Sequence, residues 1–217
     1  MEFPNIIDLF LHLDKHLATV VQVWGPWVYV LLFAIIFIET GLVVMPFLPG
    51  DSLLFVAGAI AAVGGMSLPV LLLLLVIAAV AGDAVNYSIG RWIGPKVFAW
   101  ENSRWFNKDA FNKTHEFYET HGPITIVVGR FLPFIRTFAP FVAGVAEMSY
   151  SKFSAFNITG GILWVCSLTS LGFVVGEHPW VKANFSIVAL AMIIIPGLPA
   201  AWVFAKAIYE KYSKKTN

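Results

Sequence analysis

Four stretches of the chain carry no Asp, Glu, Lys or Arg: Leu17–Ile38, Ser52–Gly82, Phe153–Gly176 and Ala183–Ala205. Each is long enough to supply the roughly 20 apolar helical residues that cross a hydrocarbon core of about 30 Å. Spanning helices are therefore predicted over Leu17–Glu39, Leu68–Gly90, Lys152–Val175 and Phe185–Ala207. Between the first two, Pro46-Phe47-Leu48-Pro49-Gly50 interrupts any helix. The apolar run that follows, up to Gly64-Gly65, reaches only roughly 20 Å and cannot cross. Pro133 and Pro140 break a second segment in the same way. Irregular backbone at membrane depth survives only where protein or water satisfies its polar groups. Residues at about 43–65 and about 123–148 are accordingly predicted as re-entrant helical hairpins.

The two broken segments resemble each other. Phe47-Leu48-Pro49 is followed after five residues by Phe55-Val56-Ala57-Gly58, and Phe131-Leu132-Pro133 after seven by Phe141-Val142-Ala143-Gly144. Both motifs in the same order indicate an internal repeat. Charge then orients the chain. Residues 91–122 hold five basic side chains (Arg91, Lys96, Arg104, Lys108, Lys113), and the tail holds Lys206, Lys211, Lys214 and Lys215. With hairpins that do not cross, both regions fall on the cytoplasmic side, as the positive-inside rule requires. The fold class is thus an all-α polytopic membrane protein, with about four membrane-spanning helices and two inverted re-entrant hairpins meeting near the midplane. Residues 1–16 form a cytoplasmic N-terminal segment, 17–207 one transmembrane domain, 91–122 an interfacial cytoplasmic segment and 208–217 a basic cytoplasmic tail. Within 91–122, Phe98, Trp100, Trp105 and Phe106 suit the headgroup level. Phe111, His115 and Tyr118 share one face of a helix ending at Gly122, before Pro123.

Composition agrees: of 217 residues, 59% are hydrophobic and 12% charged, and the mean hydropathy is +0.79. A soluble domain carries about 25% charged residues. Glu2, Asp8 and Asp14 make an acidic start without the basic n-region of a cleaved signal peptide. The single cysteine, Cys166, reads as a packing side chain. His12 and His16 have helical spacing but no third ligand, so they read as a solvated face rather than a metal site. No HExxH, GxSxG or P-loop pattern occurs, and no histidine lies in an apolar run to form a phospho-enzyme. The expectation is a non-enzyme with no cofactor and no nucleic-acid partner.

Four ionisable groups remain inside: Glu39, Asp51, Arg130 and Arg136. Unpaired, at about 3 kcal/mol each, they would cost on the order of 12 kcal/mol, comparable to a total stability of about 5–15 kcal/mol. They must therefore be paired, hydrated or bound to something. Asp51 with Ser52 can cap a helix, Glu39 can snorkel to the interface, and the arginines can neutralise the two acids in a structural quartet. Alternatively, Ser52 and Thr137 open two returning half-helices whose positive ends share one interior region, with Pro140 in a first turn. Two helix N-termini and two guanidiniums make an anion site suited to phosphate, with Glu39 and Asp51 as titratable partners pulled in opposite directions by burial and by the arginines.

The stretch G-R-F-L-P-F-I-R-T-F-A-P-F-V-A-G, with E-T-G-L-V-V-M-P-F-L-P-G-D-S-L-L-F-V-A-G before it and G-D-A-V-N-Y-S-I-G-R between, resembles the DedA family of bacterial inner-membrane proteins. These are relatives of the eukaryotic VTT-domain lipid scramblases, and the likeness covers roughly residues 25–175. It is nearest to the enterobacterial members needed for envelope integrity and cell division. The resemblance implies facing re-entrant hairpins, dependence on the proton motive force and movement of lipid phosphates, above all undecaprenyl phosphate returned to the cytoplasmic leaflet. Its acidic pair maps onto Glu39 and Asp51 (proton coupling), and its arginine pair onto Arg130 and Arg136 (phosphate binding). Its G-D-x-x-x-Y-x-x-G-R element maps onto Gly82, Asp83, Tyr87, Gly90 and Arg91. Asp83 reads either as a partner of Arg91 or as a group near the cytoplasmic surface. The expected partners are membrane lipids and protons, and a homo-oligomer is compatible with the sequence. The rival functions are a small-cation/proton antiporter and a structural membrane-integrity protein.

Overall fold

The computed structural model describes residues 25–42, 50–94, 96, 108–184 and 188. Among them every regular element is helical: α1 Trp27–Gly41, α2 Gly50–Ala62, α3 Leu68–Ile93, α4 Lys108–His121, α5 Thr125–Val128, α6 Pro133–Val145, α7 Tyr150–Glu177 and α8 Pro179–Ala183. Short 3₁₀ turns flank α5 at Gly122–Ile124 and Gly129–Phe131. The expected hairpin residues Pro46 and Pro49, the aromatics Phe98, Trp100, Trp105 and Phe106, His12 and His16, the span over Phe185–Ala207 and both terminal segments lie outside the described residues, save position 188.

Helix length divides the elements into two sets. The 26 residues of α3 and 28 of α7 give about 39 and 42 Å, enough to cross a bilayer. Only a third of the most apolar window of each is buried. Leu73, Ile77, Leu163, Leu171 and Val174 point outward, which the central helix of a soluble protein would not tolerate. By contrast α1, α2 and α6, at 15, 13 and 13 residues, reach only about 20–22 Å.

The first predicted span needs correction. Gly25 adopts a left-handed φ of +47°, and Pro26 precedes the first turn, so no continuous helix runs from Leu17 to Glu39. Instead α1 begins at Trp27 and ends at Gly41. Its start lies beside the start of α3, where the Ser67 N–H donates to the Tyr29 hydroxyl at 2.8 Å, and its end lies against Gly82 in the middle of α3. The returning helix α2 runs from the end of α1 back to the 63–67 turn. Thus α1 and α2 are the two limbs of one helical hairpin, and residues 43–49 of the expected 43–65 segment lie outside the described residues.

The second hairpin is built from residues 125–131 and α6. The chain turns at Leu132, which is extended (φ −113°, ψ 110°) because it precedes a proline, and Pro133 then opens α6. Thr137 therefore lies a turn inside α6 rather than at its start. Likewise Pro140 sits in the helix interior and removes the N–H that would bond the Arg136 carbonyl.

Each returning limb packs on the long helix of the other half. A methyl group added at Gly58 would run into the Thr169 carbonyl of α7, and one at Gly172 into the Phe55 carbonyl of α2. In the same way Gly144 abuts the Tyr87 carbonyl of α3, and Gly90 the Phe141 carbonyl of α6. The two Phe-Val-Ala-Gly motifs thus make equivalent contacts, swapped between halves. In lipid, association rests on close packing rather than water exclusion, and small residues allow it. The Phe111 face of α4 is buried against Phe138, Phe141, Val142 and Val145 of α6, with Tyr118, Ile89 and Ile93 at its edge, so this helix supports the second hairpin.

Candidate functional site

The inner ends of the two hairpins meet in a network of five charged side chains. Glu39 lies in the last turn of α1 and Arg136 in the first turn of α6. Each is placed against its own helix dipole, where its charge is disfavoured, so neither is there for helix stability. They are there for each other. Arg136 donates through Nη2 to Glu39 Oε1 at 2.8 Å and through Nη1 to Asp51 Oδ1 at 2.5 Å. Asp51 is the second residue of α2, inside the helix rather than capping it, where a negative charge suits the positive end. Glu39 is 1% exposed and does not snorkel, whereas the Asp51 side chain is half exposed. Gly50 makes the close approach possible, since any Cβ there would collide with the Glu39 carboxylate.

Arg130 holds the second arm of the network. It lies in the 3₁₀ turn that ends the first limb of its hairpin and pairs with Asp83 of α3. The same Nη2 donates to Asn157 Oδ1 of α7 at 2.5 Å, and Asn157 Nδ2 donates to the Val80 carbonyl at 3.0 Å. Asp83, ten residues from the end of α3 and so about 15 Å along the axis from it, is buried and pairs with Arg130 rather than Arg91. Arg91 instead donates to the Tyr87 hydroxyl at 3.0 Å and the Met148 carbonyl at 3.1 Å, and Tyr87 donates to that same carbonyl. These two residues fasten the 146–149 turn between α6 and α7. Their part of the G-D-x-x-x-Y-x-x-G-R element is structural, while its aspartate serves the charge network.

Three contributors were not evident in the sequence. Asn86 Nδ2 donates to the Thr40 carbonyl at 3.1 Å and the Thr137 carbonyl at 2.8 Å, joining α1 and α6 to α3. Asn157 shares Arg130. Trp164 of α7 donates from its indole N–H to Asp51 Oδ1 at 2.8 Å, and both guanidinium carbons lie over its ring, Arg136 at 5.0 Å and Arg130 at 5.9 Å. Spacing could have flagged one of them: Asp83, Asn86, Tyr87 and Gly90 form an i, i+3, i+4, i+7 face in an apolar helix, and all four are buried. Among the described residues the Ser52 side chain makes no hydrogen bond within this network, and Thr137 joins it through its carbonyl.

Taken together, three carboxylates face two guanidiniums, and among the described residues several buried atoms have no hydrogen-bond partner: Glu39 Oε2, Arg130 Nε and Nη1, and Arg136 Nε. Chemically, the carboxylates of such a cluster can hold a proton and its guanidiniums an anion. The VTT domain family matches residues 48–174, which include Asp51, Asp83, both arginines, Asn157 and Trp164. The chain is 50% identical to Protein DedA of Escherichia coli K12 over 196 residues, 89% of this chain and 90% of the relative. The chain belongs to the VTT-domain, or DedA, family of membrane proteins. It is also 36% identical to Inner membrane protein YqjA of Escherichia coli K12 over 187 residues (86% of this chain, 85% of the relative). Identity to an uncharacterized membrane protein of Mycobacterium tuberculosis H37Rv is 41% over 209 residues (95% and 89%). No solved structure gives a significant match.

Proposed function

We propose that this chain is a proton-motive-force-dependent flippase of lipid phosphates in the bacterial inner membrane, returning undecaprenyl phosphate to the cytoplasmic leaflet without covalent catalysis. The observation that carries this reading is the grip of Glu39 and Asp51 on Arg136, from opposed hairpins whose limbs are too short to cross. Residues 91–122 are basic, and the turns at 63–67 and 178–184 together hold only Lys182. The end of α3 therefore faces the cytoplasm, so the α1–α2 hairpin enters from the periplasm and the α6 hairpin from the cytoplasm. Inverted pairs of this kind place a transporter's site near the midplane.

Charge balance supplies the coupling. With every group ionised, three acids against two arginines leave one negative charge in a site that is largely out of water. A phosphate monoester, at about −1.5 to −2, cannot join it without relief. Protonation of Glu39 and Asp51 relieves it and frees the Arg136 fork, which suits two phosphate oxygens at once. Release of the protons on the cytoplasmic side restores the ion pairs and expels the headgroup, while the isoprenoid tail stays in lipid.

The test is the lipid that copurifies. Mass spectrometry of wild-type protein is expected to find enriched lipid phosphates that an Arg136→Ala variant lacks, and identical lipid in both would overturn the reading. The excess of carboxylates favours one other function, a small-cation/proton antiporter, in which transport in liposomes would follow added sodium or potassium and ignore lipid phosphate.

A further inference from the structure

Among the described residues, Trp164 touches both arms of the charge network and belongs to neither hairpin. It is 1% exposed and sits on α7, a helix long enough to span. A buried indole N–H must find an acceptor, and this one finds Asp51 Oδ1, the same oxygen that Arg136 takes. The ring face meanwhile lies beneath both guanidiniums, where an aromatic quadrupole attracts cations. Apolar packing alone explains neither contact, since a phenylalanine or leucine would fill most of the same space.

We infer that Trp164 is a positioning residue of the anion site: its ring is the floor that sets the spacing of the two arginine forks, and its N–H holds Asp51. This rests on the lipid-phosphate reading above and extends it. The charged groups facing the indole are Arg130 and Arg136 from the second hairpin and Asp51 from α2, with Glu39 of α1 and Asp83 of α3 joined through the arginines. The two functions of the ring are separable. The floor governs affinity for a phosphate that bridges both forks. The N–H governs how readily Asp51 leaves and regains Arg136, a matter of turnover.

The experiment measures farnesyl phosphate binding and uptake in phosphatidylcholine vesicles for wild type, Trp164→Phe, Trp164→Leu and Arg136→Ala. Trp164→Phe keeps a ring and loses the donor, so KM is expected to stay within twofold while kcat falls about tenfold. Trp164→Leu loses the cation contacts as well, so affinity is expected to fall about tenfold. If Trp164→Leu does not fold, the KM-against-kcat split in Trp164→Phe decides alone. A Trp164→Phe variant with wild-type kcat and KM overturns the proposal, and so does one whose stability alone changes. Arg136→Ala separates the two levels. If it binds farnesyl phosphate normally, the lipid-phosphate reading fails; if it loses binding while both Trp164 variants behave as wild type, only the role of Trp164 fails.

Discussion

Replacing Asp83 by asparagine keeps the shape of the side chain and removes its charge. Arg130 is 2% exposed, and Asp83 is its only carboxylate among the described residues. The remaining acceptor, Asn157 Oδ1, is neutral. The substitution therefore strands a buried guanidinium, at about 3–5 kcal/mol. The equivalent change at Glu39 is milder. Arg136 keeps Asp51 at 2.5 Å, so Glu39→Gln loses one charged hydrogen bond, about 1–2 kcal/mol. Asp51→Asn is milder again, about 1 kcal/mol or less, because the Asp51 side chain is half exposed. The double change Glu39→Gln with Asp51→Asn leaves Arg136 without a carboxylate, so its cost should exceed the sum of the singles.

Thermal unfolding of the purified protein in detergent, followed by helical circular dichroism, checks these values. At about 2–4 °C per kcal/mol for a chain of this size, Asp83→Asn is expected to lower Tm by about 6–20 °C and Glu39→Gln by about 2–8 °C. Adding Arg130→Met to Asp83→Asn should recover most of the loss, since removing both charges leaves none stranded. An Asp83→Asn protein as stable as wild type, or a double variant no better than Asp83→Asn alone, would refute the pairing.

Arg130→Lys and Arg136→Lys should each fail to complement a deletion strain nearly as completely as the alanine variants, because an ammonium cannot serve two acceptors in one plane; full complementation at normal expression would show that a point charge suffices. Gly58→Val and Gly144→Val should each abolish accumulation of folded protein, since a side chain at either position meets the backbone of the neighbouring helix, and immunoblotting of membranes checks this. In a Cys166→Ser background, a cysteine at Asn112 should resist an impermeant thiol reagent in intact spheroplasts and one at His178 should react; both positions are exposed, and the reverse result would invert the topology.

The sequence marks the ends of the long helices well, because α3 and α7 are charge-free over most of their length and begin after Ser67 and Ser149. It is less informative about α1. An apolar run from Leu17 to Ile38 has the composition of a span, and only the left-handed backbone at Gly25 divides it. Proline alone does not locate helix starts either. Pro140 is as good a sequence signal as Pro133, yet it is absorbed inside α6 at the loss of one backbone bond. In the site, Glu39, Asp51, Arg130 and Arg136 are conspicuous because charge in an apolar run has a large cost. Their pairing is not, since Arg136 finds its acids 97 and 85 residues away. Nearness in sequence links Asp83 with Arg91, yet a separation of eight positions along α3 places the two on different neighbours. Trp164 and Asn157 were hidden for a different reason: an indole or an amide in a span is cheap enough to need no explanation.

The central claim is that protons taken up by Glu39 and Asp51 free the arginines for a lipid phosphate. Gradient-driven uptake in proteoliposomes tests it most directly. Farnesyl phosphate is added outside vesicles holding wild type, Glu39→Gln or Asp51→Asn, and its movement to the inner leaflet is followed with and without an imposed pH gradient, acid outside. The account predicts gradient-dependent uptake by the wild type, and none by either variant although both remain folded and still bind the lipid. Uptake by the variants at the wild-type rate, or wild-type protein that moves no lipid phosphate under the gradient, would contradict it.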